Sequence, residues 1–194
     1  DIFLFYATLD TLELISGGLS DADANNESRT PSISDDGRFV TFLSLATNLV
    51  AGDTNGFLDV FVYDRDLDTI ERVSLTDLGG QITDGSASSA HISGNGRYVT
   101  YSSEGTDVMS GGDLNSDDTD VFVYDRDLDT AERVTENTLG VQADNSSDNP
   151  TITPDGRYVT FISVASNLVT GDTNGEYDVF VRDRNTDSTE AVSI

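Results

Sequence analysis

Short apolar runs rich in Val, Ile, Phe and Tyr alternate along the chain with stretches of Asp, Asn, Ser, Thr and Gly. Runs of that length and composition favour β-strands. No segment shows a capped start followed by apolar residues at the three- and four-residue spacing of a helix. The runs also repeat. The block Asp59–Ser74 returns at 120–135 and 178–193, and aligns without gaps on residues 1–16. Each copy reads as two strands around a turn of Asp, Asn and Thr. A second block, Ser34-Asp35-Asp36-Gly37-Arg38-Phe39-Val40-Thr41-Phe42, returns from Ser93 to Tyr101 and from Thr153 to Phe161. Asp-Gly or Asn-Gly between two such runs signals a hairpin, because both residues tolerate the positive φ of the turn.

One unit is therefore a hairpin, an acidic loop, a second hairpin and a polar loop. Equivalent residues Asp1, Asp59, Asp120 and Asp178 are spaced by 58, 61 and 58 residues. A fixed period of this size marks a repeat architecture. Four short strands per unit, labelled A to D, with apolar residues on both sides of B and C, suit sheets stacked face to face. That is the arrangement of blades in a β-propeller. A single sandwich would show cleaner alternation and leave the period unexplained. The expected layout is an all-β array of antiparallel four-stranded blades, about three and a half in number. A leading C–D hairpin spans 1–16, and the blades span 31–74, 90–135 and 150–193.

Composition narrows the partners. The chain has 194 residues, 36 of them acidic and ten basic, all ten arginine, for a net charge of −26. Such a surface repels phosphate backbones, which argues against nucleic acid. There is no cysteine, hence no disulfide framework or thiolate metal site. No run approaches the ~18 apolar residues of a membrane span. Residues 2–6 lack the basic flank of a signal peptide, so a mature or trimmed chain is expected.

The loop before strand C is the main chemical candidate. Asp53, Asn55 and Asp59 put two carboxylates and an amide oxygen within seven residues, and Gly56 allows a sharp turn between them. The set recurs as Asp172, Asn174 and Asp178, and as Asp113, Asn115, Asp117 and Asp120, where one extra residue separates the first and last Asp. Calcium takes about 6–8 oxygen ligands in loose geometry, which suits such a loop. A strand follows where an EF-hand would place its exiting helix. The competing account is an Asx turn, with Asp and Asn bonding backbone amides. The recurrence in so acidic a chain favours calcium.

The rest of the chemistry is sparse. A second acidic stretch, Asp21, Asp23, Asn25, Asn26 and Glu27, reads as a solvated loop. Arg38, Arg97 and Arg157 read as bridges to a neighbouring acidic loop, and the Asp-Arg pairs at 64–65, 125–126 and 183–184 as local turn chemistry. Asn26 and Asn145 sit in N-glycosylation sequons. His91 is the only histidine and aligns with Ser32 and Thr151, so no triad or acid–base pair has positional logic. No enzyme activity is expected.

The Asp-Gly-Arg-Phe/Tyr-Val-Thr-Phe hairpins, followed by Asp-Val-Phe-Val-Tyr-Asp-Arg, resemble the WD40-like, TolB-type β-propeller repeat. The loop sequence Asn-Leu-Val-x-Gly-Asp-Thr-Asn-Gly is similar to that of secreted arrays in the group. The middle unit lacks the Asn-Leu-Val run. The resemblance implies a binding or scaffolding propeller, outside the cell or on its surface. Three A–B pairs against four C–D pairs leave unpaired blade edges, which natural proteins cover or use. A homo-oligomer or filament through those edges is expected, with a glycan or surface partner open. The rival expectation is an accessory propeller of a larger secreted hydrolase or TolB-like translocation protein.

Overall fold

The structure, a computed structural model, describes residues 1–116 and 118–193. β1 (Phe3–Tyr6) pairs only with β2 (Thr11–Leu14). Three four-stranded antiparallel sheets follow. The first holds β3 (Ser28–Ile33), β4 (Phe39–Ser44), β5 (Asp59–Asp64) and β6 (Thr69–Arg72). The second holds β7 (Ala87–Ile92), β8 (Tyr98–Ser103), β9 (Asp120–Asp125) and β10 (Thr130–Arg133). The third holds β11 (Ser147–Ile152), β12 (Tyr158–Ser163), β13 (Asp178–Asp183) and β14 (Ser188–Ala191). Among the described residues the only helical element is one 3-10 turn, Leu19–Asp21. The fold is the all-β stack expected: a half blade and three full ones.

The A–B hairpin turns because Gly37, Gly96 and Gly156 take φ of 71°, 73° and 76°. The side chain ahead of each glycine secures the turn. Asp36 Oδ1 accepts from the Arg38 amide at 2.9 Å and from Ser34 Oγ at 2.6 Å. Strand A begins three residues earlier than its apolar pattern suggests, at Ser28, Ala87 and Ser147. A bulge hides that start. The register shifts between Arg29 and Ser32, where Thr30 has φ of 49°, and Ser89 and Asn149 repeat the feature.

Blades pack face to face through apolar layers. Between the first and second full blades, Leu43, Val60 and Val62 meet Val99, Tyr101 and Phe122. Between the second and third, Val121 and Val123 meet Val159, Phe161 and Phe180. Ile2 and Ile15 of the half blade meet Val40, Phe42 and Phe61. Within each blade one ring pair stacks across strands B and C: Phe42–Phe61, Tyr101–Phe122 and Phe161–Phe180, at 5.9, 5.8 and 5.7 Å. Hairpin tips bond directly across blades, Asp35 N to Gly94 O at 3.0 Å and Asn95 N to Pro154 O at 3.1 Å.

Candidate functional site

The loop before strand C is anchored at its start. Asn48 Nδ2 donates to Asp23 O at 2.8 Å, and its Oδ1 accepts from the Asn25 amide at 2.9 Å, pinning the preceding D–A loop. Asn167 does the same for Asp144 and Gln142. Leu49 and Leu168 then enter the core. In the middle unit Asp107 accepts from Thr83 instead, and Val108 is the buried residue. The second acidic stretch is thus partly turn chemistry: Asn25, Asp84 and Asp144 each accept a backbone amide from the neighbouring loop.

In the first loop Asp53 and Asp59 are buried and converge, but on an arginine. Arg72 Nη1 lies 3.4 Å from Asp53 Oδ1 and 3.6 Å from Asp59 Oδ2. Gln81 Nε2 adds a bond to Asp53 Oδ1 at 3.1 Å. Asn55 turns its oxygen to the Phe57 amide at 3.0 Å and its nitrogen to Asp59 Oδ2 at 3.1 Å. That is an Asx turn, with the amide oxygen already engaged. Asp59 Oδ1 accepts from Ser74 Oγ at 2.5 Å, and Ser74 in turn accepts the Val60 amide at 3.0 Å. The carboxylate therefore ties the loop, strand C and the end of strand D together.

The second loop repeats this design. Gln142 Nε2 donates to Asp113 Oδ1, to Asn115 Oδ1 at 2.7 Å and to Asp120 Oδ2 at 2.8 Å. Arg133 Nε lies 3.2 Å from Asp120 Oδ2, and Thr135 Oγ1 donates to Asp120 Oδ1 at 2.6 Å. Asp117 lies outside the described residues. Burial pushes the Asp53 and Asp59 carboxyls up, against the pull of Arg72. Burial pushes Asp120 up to about 6. In both loops a guanidinium lies beside the carboxylates to which the sequence pattern assigned calcium.

The third loop is different. Asn174 again donates to Asp178 Oδ2, at 2.9 Å, and accepts the Glu176 amide at 2.8 Å. Ser193 Oγ donates to Asp178 Oδ1 at 3.2 Å. Asp172 and Asp178 are both buried, yet Ala191 stands where Arg72 and Arg133 stand in the other blades. Among the described residues no group of three or more His, Cys, Asp or Glu side chains gathers as a metal-binding set.

At the other end of the blades, Arg38, Arg97 and Arg157 grip the C–D turn of their own blade, not a neighbouring acidic loop. Arg38 reaches Asp64 with Nε at 2.9 Å and Nη2 at 2.7 Å. Arg97–Asp125 and Arg157–Asp183 are the same fork. These hydrogen bonds hold Asp64 below the usual carboxylate range and Asp183 at about 2. The next arginine along does cross between blades. Arg126 pairs with Glu71 at 2.6 Å, donates to Gly96 O, and lies 4.2 Å from the centre of the Phe39 ring. Arg184 pairs with Glu132, donates to Gly156 O, and lies 4.3 Å from the Tyr98 ring centre. The sequence reading of these as local ion pairs missed the reach of the arginine side chain. The signal for it was the recurring Glu three residues before the end of the C–D block.

No family model matches the chain, and no curated protein matches it. Solved structures do match. TolB of Acinetobacter baumannii is 19% identical over 98% of this chain and 37% of its own, with a TM-score of 0.55. A TolB-like protein of Agrobacterium tumefaciens is 17% identical over 97% of this chain and 55% of its own, with a TM-score of 0.58. The β-propeller domain of the trilobed protease of Pyrococcus furiosus, described as having an open velcro topology, is 10% identical over 87% of this chain and 43% of its own, at 0.51. The likeness is one of fold, a β-propeller. The chain spans 37% and 55% of the two TolB chains it matches.

Proposed function

We propose that this chain is a non-catalytic β-propeller segment with a structural, adhesive or self-assembling role, placed outside the cell or on its surface. The observation that carries this reading is the pair of open blade faces. Phe3 and Phe5 of the half blade are 57% and 56% exposed, and Val179 of the last blade is 37% exposed. Their counterparts Phe61, Tyr63 and Val60 are buried inside the stack. Apolar faces of this kind mark association surfaces. The buried loop acids of the first two blades support a structural role, since each ties strands together through Arg72 or Arg133.

Calcium enters the proposal at the third loop alone. Asp172 and Asp178 have the burial of their counterparts and no arginine, so a divalent ion there has two carboxylates to neutralise. Its binding would add to stability by mass action. Sedimentation and electron microscopy of the purified chain test the assembly role. Concentration-dependent oligomers or filaments are expected, and a strict monomer at all concentrations counts against it. A lower Tm on chelation, abolished in Ala191→Arg, is the expected mark of the ion.

A second reading is an accessory propeller within a larger secreted hydrolase or TolB-like translocation protein. The matched chains favour it, being about two to three times as long. Reading the coding sequence on either side of the chain checks this directly.

A further inference from the structure

The crossing arginines form a repeated joint between blades. At each joint an aromatic ring at the start of strand B of one blade lies between two guanidinium groups. Arg38 of the same blade lies 4.7 Å from the Phe39 ring centre, and Arg126 of the next blade lies 4.2 Å from it. Arg97 and Arg184 flank Tyr98 at 4.9 and 4.3 Å. The incoming arginine is largely desolvated, with 14% of its side chain exposed at both joints, and is paired with Glu71 or Glu132 of strand D. Cation–π contact and a carboxylate on one guanidinium make a directional contact.

The last blade carries the receiving half of the same joint. Tyr158 has Arg157 on one side, 4.6 Å from the ring centre. Glu190 pairs with Val181 across strands C and D, as Glu71 pairs with Val62 and Glu132 with Val123. Tyr158 likewise lies opposite Asp183, as Phe39 lies opposite Asp64. The backbone therefore sets ring and carboxylate in the same relation as at the two occupied joints. Glu190 is exposed and has no ion pair among the described residues. Beside it lies the open apolar face of Val179 and Val181, whose counterparts Val60 and Val62 are buried.

We propose that Tyr158 and Glu190 form a guanidinium-binding site that docks a further four-stranded blade of this repeat carrying arginine in its C–D turn. A second copy of the chain offering its half blade is the poorer occupant. At the position of Arg65, Arg126 and Arg184 the half blade has Ala7. It also lacks strands A and B, which at the internal joint contribute Ala90, Ile92, Val99 and Tyr101 to the apolar layer. The face thus selects its partner by an arginine. This deepens, and rests on, the reading of the chain as a scaffold joined through its blade faces.

The test uses the full chain continued after Ile194 by a second copy of residues 137–193, which brings a copy of Arg184. Docking is expected to raise Tm above that of the parent chain. Glu190→Ala is expected to lower Tm by about 2–4 °C in the extended protein and to leave the parent unchanged. Replacing the appended arginine by alanine should cost the same, and the double variant no more than either single one. A rise in Tm that Glu190→Ala leaves intact overturns the guanidinium site while the scaffold reading stands. No rise at all overturns both. Parent-chain dimers that are already complete at the concentration of the melts and persist in Glu190→Ala would make a second copy the better occupant and also overturn the proposal.

Discussion

β9 and β13 are near copies in sequence and opposites in environment. Asp120–Asp125 and Asp178–Asp183 differ only at Tyr124 and Arg182. Every residue of β9 is buried, whereas Val179, Val181 and Asp183 of β13 are open to different degrees. Local strand preference is the same in both, so the difference comes from whether another sheet lies on the strand. The acidic loops ahead of these strands diverge too. Arg133 reaches Asp120 in the second blade, while Ala191 brings no charge to Asp178 in the third. A repeat can therefore keep its sequence while its neighbours decide what each face and each charge must do.

The largest test of that contrast is Arg133→Ala. Removing one member of a buried pair leaves Asp120 without its counter-charge, at an expected loss of about 3–5 kcal/mol near neutral pH. Asp120 already holds its proton up to about 6 because of burial. A raised carboxyl pKa contributes stability below its ordinary value, and that contribution is lost as pH rises through the folded value. Urea melts should therefore show a smaller loss at pH 5 than at pH 7. Equal losses at the two pH values would remove charge from the explanation.

A middle-sized effect separates the two strands themselves. Val121→Ala empties part of the layer between blades and should cost about 2 kcal/mol. Val179→Ala touches an open face and should stay within about 0.5 kcal/mol. The same denaturation midpoints read both, and similar losses would mean that β13 is covered in solution.

The smallest effect belongs to Arg157→Ala at the exposed C–D turn. Arg157 holds Asp183 at about 2, below its ordinary value. That contribution is present above the ordinary carboxylate pKa and fades as pH falls toward the folded one, opposite in sign to Asp120. A modest drop in Tm at pH 7 that vanishes near pH 2 is expected.

Much of the fold was legible because turn chemistry and period agree. Gly37, Gly96 and Gly156 mark hairpins, and the recurring Asp-Val-Phe-Val marks strand C. The start of strand A was not, since Thr30, Ser89 and Asn149 interrupt its alternation with a bulge. The loop acids were found, but the arginine beside two sets of them was not. Arg72 and Arg133 lie thirteen residues after the last loop Asp, and their side chains fold back across the sheet to reach it. Pairing of strand D with strand C is what brings them home, and spacing within a loop does not reveal it. The exchange of arginine for Ala191 in the third copy was the visible clue.

The hairpin glycines have an effect beyond their own turns. A methyl group on Gly96 would come within 2.1 Å of the Phe39 ring, and one on Gly156 within 2.0 Å of Tyr98, whereas the nearest atom to such a group on Gly37 is 3.9 Å away. The missing side chain thus works as a gauge: it sets how closely one blade rides on the one before. A methyl wedge at either tight position would pry two blades apart at their tips, and the pitch of the whole stack is written into a residue with nothing on it.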